Sequence, residues 1–359
     1  MSSADTMEPK TKTSPSIDPS KIMQIGMGFW ASKAMLAAVR FEVFTLLAAG
    51  SKTGKQIKEQ LGLKTTDRHV YDWLDVLTSF GFLERQGVED NAVYSNAADT
   101  DAFLDKKKSS YIGGILEMAN NRLYQFWGNL EEGLLTGKPQ NESKAADDND
   151  NMEFFSELYK EPVKLQEFMN AMSGIQMGNF TTLVNKFDFS RYKTLLDVGG
   201  ADGWLSIQIC RRHPNINCIN FDLPPVEPLA KKKIEQFGLS DRIKVVTGDF
   251  MKDEFPAAEI IVMGNILHGM NEEAKISMLE KVYARLPQGG AFVVIENIID
   301  NERRQNTFGL LMSLNMLIEN GDAFDMSFND FQNFAKKAGF SRSELMPLTG
   351  PTSAVIAYK

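Results

Sequence analysis

Four short stretches between Leu195 and His268 carry side chains suited to holding a nucleoside and moving a proton, and they follow one another at regular spacing. The first is LLDVGGADG at residues 195–203, an apolar run ending in Gly199 and Gly200, where the missing side chain lets a ligand approach bare backbone. The second is Phe221-Asp222-Leu223, with Asp222 placed 25 positions after Asp197. That is the region for a strand-end carboxylate accepting hydrogen bonds from both ribose hydroxyls. In Gly248-Asp249-Phe250, Asp249 can accept from an adenine amino group while the Phe250 ring packs on the base. The run IIVMGN leads into Ile266-Leu267-His268, whose imidazole titrates near neutrality and can take a proton from an attacking nucleophile.

The first turn reads GGxxG, not the GxGxxG that seats a pyrophosphate on a helix N-terminus, and Asp202 puts negative charge where a phosphate would sit. A phosphate-free ligand is expected, and adenosine joined to a zwitterionic amino acid meets the requirement. Leu223, Gly264 and Asn265 border the same strand ends and complete the candidate cofactor set with Gly199, Gly200, Asp222, Asp249 and Phe250. Of three histidines, His69 lies in the N-terminal part and His213 precedes Pro214 at a helix end, which leaves His268 at the crevice. The two cysteines, Cys210 and Cys218, lack metal-ligand spacing and read as buried thiols. No carboxylate cluster beyond the cofactor Asp residues suggests a metal.

These stretches need strands that end at one crevice. From about Thr194, short β-rich runs alternate with helices, the pattern of a doubly wound, mostly parallel sheet whose ligands bind outside the carboxyl ends of the strands. Upstream, residues 21–49 are apolar with helical spacing and must be buried against something. A short helix in TGKQIKEQLGL, a helix capped by Thr66 or Asp67 and stopping at Gly81, and a hairpin in FLERQGVEDNAVYSN follow, which is a winged-helix pattern. Residues 110–180 read as helical, interrupted by the exposed polar run GKPQNESKAADDNDN. Residues 1–17 lack an apolar core and read as a disordered tail, not a signal peptide.

A length of 359 residues exceeds one core, so two domains are the default. The net charge of −8, and Asp72 and Asp75 beside Arg68 and His69, argue against nucleic acid as a partner. No apolar run is long enough for a membrane span, and the cytoplasm is the expected location.

From Thr194 onward the chain resembles the class I S-adenosylmethionine-dependent methyltransferases. Residues 20–359 as a whole resemble the small-molecule O-methyltransferases of plant caffeate/flavonoid and bacterial natural-product type. The motifs are LLDVGGADG, FDLP, GDF, ILHGMNEEA, LPQGGAFVVIE and FAKKAGF. The resemblance implies a winged-helix-like dimerisation domain at 18–105, a helical linker contributing to the substrate pocket at 106–185, and an S-adenosylmethionine-binding domain at 186–359. A homodimer through the N-terminal domain follows from it. It further implies that Gly199 meets the methionine moiety, that His268 is the catalytic base, and that Glu296 and Asp325 flank and orient the imidazole. Here Asp325 stands where the second carboxylate is usually Glu, and Gly269-Met270 replace the usual Asp-Trp after the His. Candidate acceptor-pocket residues are Tyr124, Trp127, Phe168, Met172, Met312, Asn315 and Met316, which suit a phenol or quinol. Met at helical spacing also suits plain core packing. Three functions stay open: O-methyl transfer to a small aromatic metabolite, transfer to sulfur, nitrogen or carboxylate with His268 orienting the acceptor, and a ligand-sensing winged-helix regulator.

Overall fold

The computed structural model describes residues 17–108, 110–142, 160 and 162–359, in two compact units that divide between Asp101 and Ala102. The expected tail, most of the polar run at 137–151 and the start of the second helical segment lie outside the described residues.

In the N-terminal unit the apolar run at 21–49 forms three helices, Ser20–Gly26, Gly28–Arg40 and Val43–Ala48. The chain breaks at Met27 and again at Glu42, whose left-handed φ of 55° cannot continue a helix. Leu36, Val43, Phe44 and Leu47 are buried, whereas Ile22, Ile25, Phe29 and Trp30 point to solvent. Strand β1 (Lys52–Thr53) leads into the Gly54–Gln60 helix, which Thr53 and Gln56 close with a capping box. Thr66, not Asp67, caps the Asp67–Ser79 helix by accepting from the His69 amide. Strands β2 (Leu83–Gln86) and β3 (Val93–Asn96) form the expected hairpin in a three-stranded antiparallel sheet of order β1-β3-β2. No single described helix is long and apolar enough to cross a membrane.

The larger unit holds a seven-stranded sheet: β4 (Thr194–Val198), β5 (Asn217–Asp222), β6 (Ile243–Thr247), β7 (Ile260–Gly264), β8 (Ala291–Glu296), β9 (Arg342–Pro347) and β10 (Ser353–Tyr358). Their order is β6-β5-β4-β7-β8-β10-β9, parallel from β6 to β8, with β10 antiparallel to both its neighbours. Period-2 alternation divides the core between the two faces. Leu196, Val198, Met263 and Val294 face Met278, Leu279 and Val282 of the Glu272–Arg285 helix, and Phe331 and Phe334 of the Phe328–Lys337 helix. On the opposite face Leu195, Val262, Val293 and Ile295 cluster with Leu205, Ile209, Ile234, Leu183 and Val184. Because β4 lies between β5 and β7, the strand order reverses at its end, the place where open sheets of this kind take their ligands.

Candidate active site

The GGADG turn leaves β4 at that reversal. The Gly199 and Gly200 amides donate to the Phe221 carbonyl, and Gly199 adopts φ +65°. A Cβ on Gly199 would lie 2.5 Å from Ile266 Cδ1, and one on Gly200 would lie 2.0 Å from Asn220 Oδ1, so both positions need glycine. Asn220 is fully buried and donates from Nδ2 to the Ala201 carbonyl, which shapes the turn from below.

Asp222 ends β5. Its Oδ2 accepts from the Ala201 amide at 2.8 Å and its Oδ1 from the Leu223 amide at 2.7 Å. Burial outweighs these bonds and pushes the carboxyl up to about 6. A carboxylate has about four acceptor positions, so an oxygen lone pair on each side remains for a diol. Asp197 beneath it takes a bond from Ser206 Oγ at 3.1 Å, and burial pushes its carboxyl up to about 7. Asp249 follows β6, where burial raises its pKa but the Met251 amide, Lys252 and Lys281 prevail and hold it low. Phe250 packs at the edge of the core, with its carbonyl accepting from Lys281 Nζ at 2.7 Å. The strand-end carboxylates, the side-chain-free turn and the flanking aromatic match what an adenosine bearing an amino acid requires.

Asp202 departs from its expected part. Its carboxylate is fully buried, ion-paired to Lys233, and accepts from Ser173 Oγ at 2.7 Å. The charge is therefore neutralised inside the protein and ties the turn to the Pro162–Lys186 and Glu227–Gln236 helices. It does not repel phosphate at the crevice.

Gly264 ends β7, and Asn265 takes φ +53° while its amide donates to the Ile295 carbonyl at 3.1 Å. That bend puts Ile266 against Gly199 and turns the chain into the single 3₁₀ turn Leu267–Gly269. Glu296, the last residue of β8, holds the turn: its Oε1 accepts from the amides of Ile266 at 3.2 Å and His268 at 3.1 Å. Asp325 arrives from the segment before the Phe328–Lys337 helix, which bonds to the chain after β8 through the Ile299 amide and Met326 carbonyl. His268 Nδ1 stands 3.7 Å from Asp325 Oδ1, at ion-pair but not hydrogen-bond distance. The imidazole is 15% exposed, while both carboxylates are 1% exposed. Burial opposes protonation of His268, but Asp325 and Glu296 outweigh it and raise its pKa above the ordinary value. Such a base gains stability as it accepts a proton.

The other two histidines are engaged elsewhere. His69 Nδ1 lies 2.9 Å from Thr65 Oγ1, and His213 Nε2 lies 2.9 Å from the Val184 carbonyl.

The expected acceptor residues lie on the middle helices, the long Pro162–Lys186 helix and the Thr307–Asn320 helix. Trp127 Nε1 donates to Asn315 Oδ1 at 2.8 Å, so these two satisfy each other and join the middle helices to the Thr307–Asn320 helix. Met316 is buried on that helix, beside half-buried Met312, and Tyr124 is half-buried. Phe168 packs against the cluster of Leu165, Met169 and Val226, as does Ala201 of the glycine turn, and Met172 is half-buried on the same long helix. Of its other methionines, Met169 is core and Met177 accepts from Gln208 Nε2.

Sequence reasoning missed Ser173, Lys233 and Asn220, which act through space on the turn, and Lys275. Lys275 had a legible signal: on the Glu272–Arg285 helix it occupies the first place of the apolar stripe 275, 278, 279 and 282. Among the described residues no group of three or more His, Cys, Asp or Glu could hold a metal ion. Cys210 and Cys218 are free and buried, 3.5 Å apart.

Residues 127–341 match the model of the O-methyltransferase domain, and residues 23–106 that of the O-methyltransferase dimerisation domain. The tetracenomycin polyketide synthesis 8-O-methyltransferase TcmO of Streptomyces glaucescens is 31% identical over 95% of this chain and 97% of its own. The N,N-dimethyltransferase OxyT of Streptomyces rimosus is 27% identical over 92% of this chain and 93% of its own. Human N-acetylserotonin methyltransferase, solved in complex with SAM, shares the fold with a TM-score of 0.85 over 97% of this chain and 99% of its own, at 24% identity. With its catalytic and dimerisation domains both matched, the chain belongs to the O-methyltransferase family and is a methyltransferase.

Proposed function

We propose that the protein moves a methyl group from S-adenosylmethionine to a hydroxyl of a small aromatic metabolite, with His268 as general base. The observation that carries this reading is the imidazole of His268, 15% exposed at the strand-end crevice and backed by two carboxylates that are 1% exposed. The cofactor brings an electrophilic methyl on a sulfonium. Gly199 and Gly200 admit its amino-acid end to the backbone, Asp222 accepts from the ribose, and Asp249 with Phe250 holds the adenine; Leu223, Gly264 and Asn265 line the same edge. His268 would take the hydroxyl proton as the acceptor oxygen bonds to the methyl and the methyl–sulfur bond breaks, releasing S-adenosylhomocysteine, while Asp325 with Glu296 stabilises the imidazolium. Replacing His268 by Ala should lower O-methyl transfer at least ~100-fold, with cofactor affinity kept in isothermal titration. Unchanged turnover would sink the base assignment.

A second reading has a nitrogen or sulfur acceptor with His268 orienting it. The likeness to a relative named as an N,N-dimethyltransferase favours it, as does the absence of an acidic residue at Gly269. A pH–rate profile separates the two, because only a general base produces an acidic limb governed by His268. We further propose a homodimer through the N-terminal unit, supported by the dimerisation-domain match and by exposed Ile22, Ile25, Phe29 and Trp30.

A further inference from the structure

The buried stripe of the Glu272–Arg285 helix contains one charged residue. Lys275 is fully buried in line with Met278, Leu279 and Val282. Its ammonium donates to the Met270 carbonyl and lies 3.6 Å from the centroid of the Phe324 ring. Met270 caps the turn that carries His268, and Phe324 immediately precedes Asp325. Lys275 therefore touches both segments that bring base and carboxylate together.

The electrostatics of that place need a cation. Glu296 Oε2 and both Asp325 oxygens are buried without a hydrogen-bond partner, a costly arrangement for two carboxylates. Counting Glu296, Asp325, His268 and Lys275 in ionised form, the cluster is −1 with a neutral imidazole and 0 once the imidazole takes a proton. Without Lys275 the same states are −2 and −1, which strengthens the carboxylates' hold on the imidazolium, even as burial raises the Glu296 pKa. Asp322 and Asp330 also act on Lys275, but Asp322 accepts from Asn271 and Asp330 from Ser327.

We propose that Lys275 is a positioning residue that holds the His268 turn through Met270 and offsets the Glu296–Asp325 pair, so that the imidazole is less firmly protonated than the two carboxylates alone would make it. Burial brings the Lys275 pKa down to about 8, which still leaves it mostly charged at neutrality. Its charge opposes the two carboxylates in their pull on His268. The inference rests on His268 as general base for its catalytic meaning, though not for its test.

That test is the titration of the His268 ring by NMR in the full-length protein, alone and as Lys275→Met, Lys275→Gln and Lys275→Arg. Only three histidines are present, and a His268→Ala spectrum assigns the resonance. The Met and Gln variants should raise the His268 pKa by roughly one unit, and the Arg variant should restore the wild-type value. The acidic limb of kcat should move with the ring titration while KM for S-adenosylmethionine is unchanged. If the Met variant does not fold, the polar Gln variant carries the same reading. A His268 that titrates at the wild-type value in a folded Met or Gln variant overturns the proposal. If the ring shifts but kcat does not follow, Lys275 keeps its electrostatic role and the base assignment is what fails.

Discussion

Asp222 shows how one carboxyl can report on ligand binding. Burial holds it up to about 6 in the free protein, and ribose hydroxyls would donate to its ionised form, so binding should draw the pKa down. The sign follows: S-adenosylmethionine affinity should rise as pH increases from 5 to about 7 and then level off, with protons released on binding in calorimetry below that plateau. Replacing Asp222 by Asn should flatten the pH dependence and weaken binding about 10- to 100-fold, the worth of hydrogen bonds to a charged acceptor. An affinity independent of pH in the wild type would remove Asp222 from the ribose. The strand-end position of Asp222 was legible in sequence because it lies a helix and a strand beyond the glycine turn. Asp202 was misread, because nothing local tells that Lys233, 31 positions on, folds back to neutralise it. Lys275 was overlooked for a related reason: its charge contradicts the helical stripe it belongs to, and only the proximity of Glu296 and Asp325 explains it.

Among elements, the Asp202–Lys233 pair joins the glycine turn to two helices, with Ser173 completing it from the long one. Replacing Lys233 by Met leaves a buried carboxylate uncompensated, which costs about 3 kcal/mol, the lower end for such a loss because Lys233 retains some exposure. Urea unfolding should show this loss, and adding Asp202→Asn should recover most of it. A double variant no more stable than the single one would deny the pairing. The β4 strand and the start of the Asp67–Ser79 helix were readable from the apolar run and from Thr66 as cap. The run at 21–49 was not: its apolar residues are continuous, while the breaks at Met27 and Glu42 depend on local backbone turns that composition does not announce. The neighbours of Phe168 were not legible either, since a 25-residue helix passes several surroundings and spacing alone does not say which one a given face meets.

At the scale of the whole molecule, the N-terminal unit leaves Trp30 63% exposed and Phe29 52% exposed on one short helix, more than a lone surface helix needs. A Trp30→Glu, Phe29→Ser variant should sediment as a monomer, with wild-type protein sedimenting as a dimer; identical sedimentation would move the interface elsewhere. The order of strands has a consequence of another kind. The residues assigned to the methyl donor are encoded from Gly199 to Asn265, and the base with its carboxylates from His268 to Asp325, because the sheet reverses at β4 and sends the chain first to one side and then to the other. Exchange of the segment after Asn265 between relatives should replace the base and its carboxylates while keeping the donor residues, and Ile266 against Gly199 marks the seam where such a graft must still fit.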